Sequence, residues 1–133
     1  MLLRPTIFQI IYLFLSSLTN EALSQSPDEL VVCTFNIRYD NPTDPLLWED
    51  RKLEVSKSMA FYDIVGLQEV LPHQLEDILA ALPWMESYSL GREADGSGEA
   101  CTILWPRDKF DLLHSETRWL SESWTVKGSV GWD

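Results

Sequence analysis

Cationic side chains are scarce in this 133-residue chain: ten lysines and arginines stand against 21 aspartates and glutamates, a formal net charge of −11. A surface of that balance does not hold nucleic acid or an anionic membrane by bulk attraction. Any phosphate-bearing substrate therefore needs local cations or a metal ion. Cysteine and histidine are as scarce, with two of each. No close cysteine pair occurs, and His73 and His114 stand far apart, which argues against a thiolate- or histidine-bound zinc. Cys33 and Cys101 each lie in an apolar, strand-like run, which leaves a disulfide or two buried free thiols open. Internal repeats, low-complexity tracts and an apolar run long enough to cross a bilayer comfortably are also missing.

The chain does have one short apolar run, Ile7 to Leu15, interrupted by Gln9 and preceded by Arg4. Small residues Ala22 and Ser24 then stand at the −3 and −1 positions of a cut before Gln25. That layout predicts a secretory signal peptide over residues 1–24 and a secreted or periplasmic protein. Removing it deletes one charge of each sign, Arg4 and Glu21, so the acidic balance is unchanged. Residues 25–133 suit one small domain or part of a larger one.

Along that domain, "ELVVCTFNIRYD" predicts a first strand, with Val31, Cys33 and Phe35 on one face and Val32 and Thr34 on the other. "NPTDPLL" is a loop. Trp48, Arg51, Val55 and Met59 then step at helical spacing. "YDIVGLQEV", Tyr62 to Val70, predicts a second strand, buried on both faces as in a parallel sheet. Pro72 opens a second helix with a stripe of Leu71, Leu75, Ile78, Leu79 and Leu82, which Pro83 ends. "MESYSLG" and "EACTILW" are strands flanking the turn "READGSG". "DKFDLLHSETRWL" predicts a strand pair or an extended segment, and the tail is turn-like. The order implies an α/β layered architecture. The strands outnumber the helices available to cover them, so the expectation is a domain whose C-terminal half lies outside this chain.

Two polar residues fall where these strands end. Asn36 closes the first and Glu69 the second, and neighbouring parallel strands bring such ends to one crevice. A carboxylate beside an amide offers hard oxygen donors, suited to Mg²⁺ or Mn²⁺. A carboxylate capping the next helix is the alternative. At the rim, Arg38 and Asp40 are expected to form an ion pair. His73 is expected in a surface or capping role, and Trp119, Trp124 and Trp132 in core packing or a stacking surface.

"TFNIRYDN", "YDIVGLQEV", "GREADGSGEACTILW" and "WLSESWTVKGSVGWD", in that order, resemble the endonuclease/exonuclease/phosphatase superfamily, in particular its secreted bacterial branch. The resemblance covers about Leu30 to Asp133. It implies the N-terminal half of a four-layer α/β sandwich, two packed β-sheets flanked by helices. It also implies Mg²⁺-dependent hydrolysis of phosphate esters, with Glu69 as metal-ligating glutamate and Asn36 as the amide at the same metal. Arg92, in the loop resembling the family's Gly-Arg turn, becomes a candidate for substrate phosphate, with Glu99 as its possible partner. A nuclease on phosphodiesters is the first expectation. A phosphatase or phosphodiesterase on lipid, inositol or sugar phosphates is the second, and a non-catalytic binding module the third. The family's Asp-x-Asn pair and late histidine have no counterpart in this sequence.

Overall fold

The computed structural model describes residues 29–131, so the expected signal peptide and Trp132 lie outside the described residues. The elements are β1 (Val32–Asn36), α1 (Trp48–Met59), β2 (Ile64–Val70), α2 (Pro72–Ala81), β3 (Met85–Tyr88) and β4 (Ala100–Pro106). The four strands form one sheet in the order β1-β2-β4-β3. β1 and β2 run parallel, from Val32 opposite Ile64 to Asn36 opposite Gln68. β4 is antiparallel to both its neighbours, so the sheet is mixed. The β3–β4 pair needs no crossover helix, whereas β1 reaches β2 through α1.

The core lies on one side of the sheet, where Trp48 and Met59 of α1 and Ile78 of α2 meet Val65, Leu67 and Leu104. Both helices follow the expected spacing: Trp48 and Met59 are buried with Arg51 and Val55 half-buried, and Ile78 and Leu82 anchor α2. The sequence did not reveal that Gln74 of α2 is fully buried.

The two-sided burial expected of β2 is not found among the described residues. Val65 and Leu67 are buried, but Ile64, Gly66 and Gln68 on the opposite face are only half-buried. Their neighbours Val32 and Ile103 are 59% and 47% exposed. Both helices pack on the other side, so among the described residues no helix covers this face.

The chain after β4 takes the extended form of the two expected for it and then turns, with no strand pair among the described residues. It is tied back by Asp63, only 4% exposed. The Asp63 carboxylate accepts from Val31 N–H at 2.9 Å and from Lys109 Nζ at 2.6 Å. Phe110 to Glu116 then lie along the open face and line, with Ile64, Tyr88, Ile103 and Trp105, a half-open groove of about 380 Å³. Cys33 is half-buried and Cys101 exposed; both are free thiols.

Candidate metal-binding site

Strand alternation alone would send Glu69 into the core beside Val65 and Leu67. A β-bulge prevents this. Leu67 pairs with Thr102 and Val70 with Ala100, so three steps on β2 match two on β4. The extra residue breaks the alternation: Val70 is buried, and Glu69 takes φ +60°, a conformation unusual for a non-glycine side chain. The Glu69 side chain is 31% exposed, so it is not the desolvated carboxylate that an uninterrupted buried strand predicts.

Asn36 and Glu69 meet as the strand ends predict. Asn36 Nδ2 donates to Glu69 Oε1 at 2.9 Å. Asn36 Oδ1 accepts from Arg38 N–H at 2.8 Å, and a backbone donor there fixes which end of the amide faces the carboxylate. Glu69 Oε2 accepts from Tyr39 N–H at 3.2 Å, and Arg38 Nη1 lies 3.8 Å away. Asn36, expected as an oxygen ligand beside Glu69, here turns its Nδ2 to the Glu69 carboxylate and its Oδ1 to the Arg38 amide. Glu69 does not cap α2: its two oxygens accept from Asn36 Nδ2 and Tyr39 N–H, and no side chain accepts from the helix's first-turn amides as a cap.

These contacts set the charge state. The Asn36 hydrogen bond first, then Tyr39 N–H, hold the Glu69 carboxyl below its ordinary range against partial burial. Glu69 is therefore anionic at neutral pH. Each of its oxygens accepts one hydrogen bond and retains acceptor capacity. Among the described residues no group of three or more His, Cys, Asp or Glu side chains gathers as a metal cage. One ionised carboxylate is nonetheless a donor set that fits Mg²⁺ or Mn²⁺, since Mg²⁺ takes one or two carboxylates and keeps several waters.

The loop around the pair differs from expectation. Arg38 does not pair with Asp40. Its Nε and Nη2 bind the Asp44 carboxylate at 2.9 and 3.0 Å, because the 41–44 turn brings Asp44 back across it. Asp40 instead meets His73 Nε2 at 3.0 Å on the surface. Arg92 lies at the same end of the sheet as Glu69, since Gly91 bridges Ala100, which pairs with Val70. Its guanidinium lies 3.4 Å from both Glu93 and Glu99, Arg92 being one of the two partners considered for Glu99. Trp119 Nε1 donates to the Arg92 carbonyl at 2.7 Å, so Trp119 braces this loop. Arg118 lies over the Trp124 ring, 4.2 Å from its centroid.

Comparison with known proteins decides the family. The Endonuclease/Exonuclease/phosphatase family matches residues 33–126. The chain belongs to this family. A family member from Bacteroides vulgatus of solved structure is 44% identical, with a TM-score of 0.70 over 75% of this chain and 40% of that one. A mannosyl-6-phosphatase from Bacteroides thetaiotaomicron is 34% identical, with a TM-score of 0.75 over 79% of this chain and 41% of its own. A protein of unknown function from Enterococcus faecalis is 30% identical, with a TM-score of 0.71 over 77% and 41%. No curated protein matches. The chain thus spans about two fifths of the length of the solved structures it resembles. Family members hydrolyse phosphate esters and generally use divalent metal ions.

Proposed function

We propose that the protein is a secreted or periplasmic, divalent-metal-dependent phosphatase acting on phosphate monoesters of sugars. The observation that carries the chemistry is the Asn36–Glu69 pair, an ionised carboxylate aimed by an amide at the end of two parallel strands. Substrate class rests on two supports. One is the similarity to a mannosyl-6-phosphatase. The other is the net charge of −11, which opposes a long polyanion more than a small phosphate ester. A nuclease, first in the sequence reading, becomes the second.

Glu69 would hold Mg²⁺ or Mn²⁺, which when bound offsets charge on the phosphoryl oxygens. Asn36 and Tyr39 N–H keep the carboxylate ionised and in one orientation. Arg92 presents a planar fork to the substrate phosphate once it exchanges Glu93 or Glu99 for it. Neither His73 nor His114 hydrogen-bonds to Asn36 or Glu69, so neither is assigned the proton transfer.

The test is to give the full-length protein a hexose 6-phosphate, a phosphodiester and DNA, with Mg²⁺ or Mn²⁺ and with EDTA. Release of inorganic phosphate from the sugar phosphate, lost with EDTA, is expected. Metal-dependent cleavage of DNA with an inert sugar phosphate would overturn the substrate class.

A further inference from the structure

Arg51 interrupts an otherwise apolar helix stripe, between Trp48 and Val55 of α1. Its guanidinium does not pair with a carboxylate among the described residues. It donates instead to three consecutive backbone carbonyls: Nη1 to Ile37, and Nη2 to Arg38 at 2.7 Å and to Tyr39 at 3.2 Å. Gln74, fully buried on α2, adds a bond from Nε2 to the same Arg38 carbonyl at 3.1 Å. Two helices thus grip one turn. Arg38 within it has φ +60°, and such a conformation persists when the surroundings over-determine it.

The opposite edge of that turn faces the candidate site. Its Arg38 N–H holds Asn36 Oδ1, and its Tyr39 N–H holds Glu69 Oε2. The carbonyls and amides of the same two peptide units are therefore shared between Arg51 on one side and the Asn36–Glu69 pair on the other. The guanidinium reaches the three carbonyls from two nitrogens held in one plane, a spread that a lysine ammonium, with its three donors on a single atom, does not reproduce.

We propose that Arg51 is a positioning residue for the metal site, acting with Gln74 through the Arg38–Tyr39 turn to fix the Glu69 carboxylate. This rests on the reading of Glu69 as the metal ligand given above. Partners beyond a metal's direct ligands typically change its affinity by about 10–100-fold.

The experiment uses the full-length protein and Mn²⁺ alone as probe, with binding read by calorimetry and the Tyr39 amide by hydrogen exchange. Arg51→Met should bind Mn²⁺ at least about tenfold more weakly, with faster Tyr39 exchange. Arg51→Lys, which keeps the charge and the stem, should fall between it and the parent. Gln74→Leu gives a milder loss and serves if Arg51→Met does not fold. Folded Arg51 variants that bind Mn²⁺ like the parent, while Glu69→Gln does not, would overturn the positioning role alone. Parent-like Mn²⁺ binding by Glu69→Gln would overturn the ligand reading, and this proposal with it.

Discussion

Glu69 Oε1 accepts a hydrogen bond from Asn36 Nδ2 at 2.9 Å, joining the ends of two adjacent parallel strands whose residues are 33 apart in sequence. The bond exists because β2 bulges between Leu67 and Val70 and turns Glu69 out of the core. Asn36→Ala should leave Glu69 with only its Tyr39 hydrogen bond and the distant Arg38 charge. We expect metal affinity to fall by about 10–100-fold with the fold retained. Asn36→Asp should lose less, because the second carboxylate it places beside Glu69 is itself a donor for the cation, which also relieves the repulsion between the two. Mn²⁺ calorimetry checks both, and an Asn36→Ala affinity equal to the parent's would contradict the orienting role.

Arg92 is predicted to act on substrate rather than on metal. Arg92→Ala should raise KM for a sugar phosphate several-fold while leaving Mn²⁺ affinity within about twofold, because its fork serves phosphate oxygens. Steady-state kinetics beside metal titration separates the two. A loss of metal binding would move Arg92 into the ion's surroundings.

Gly91 tests the loop that carries Arg92. A Cβ built there would lie 2.1 Å from the Ser97 carbonyl oxygen and 2.5 Å from that of Gly96, and backbone does not yield cheaply. Gly91→Ala should open the 91–99 loop and raise KM at least as much as Arg92→Ala. Loop amides that exchange at the parent's rate would show that the close approach is dispensable.

Asp63 should govern acid stability. The Lys109 hydrogen bond first, then Val31 N–H, hold its carboxyl below the ordinary 3.8. A depressed carboxylate contributes stability that is complete above its unfolded value and is lost as pH falls through the folded one. Thermal stability should therefore be nearly flat from pH 7 to about 5 and decline below about 4. Asp63→Ala should cost about 1–3 kcal/mol at neutral pH by leaving Val31 N–H and Lys109 unpaired, and should shrink the acid decline. Melting curves at several pH values decide it, and an unchanged decline would place the acid sensitivity elsewhere.

Much of this architecture was legible in the sequence because period and punctuation agree. Trp48 to Met59 steps at helical spacing, Pro72 and Pro83 bracket α2, and glycine and charge mark the turn before β4. The bulge at Glu69 was not legible, since nothing in "GLQEV" announces an extra residue until the partner strand is in register. Side-chain partners were least visible. Arg38 was expected to pair with Asp40, two residues away, but the 41–44 turn gives it Asp44. Arg51 carried the clearest unread signal, a cation on an apolar stripe, yet three backbone carbonyls as its targets emerge only from the folded turn.

The central claim is that Glu69 binds the metal ion on which phosphate-ester hydrolysis depends, and Glu69→Gln in the full-length protein tests it most directly. The substitution keeps the side chain's shape and removes the charge a cation requires. With hydrolysis of a sugar phosphate and Mn²⁺ affinity measured on the same folded preparation, both should fall by more than about 100-fold, beyond the loss expected for an orienting partner. Turnover within a few-fold of the parent, with metal affinity intact, would contradict the account.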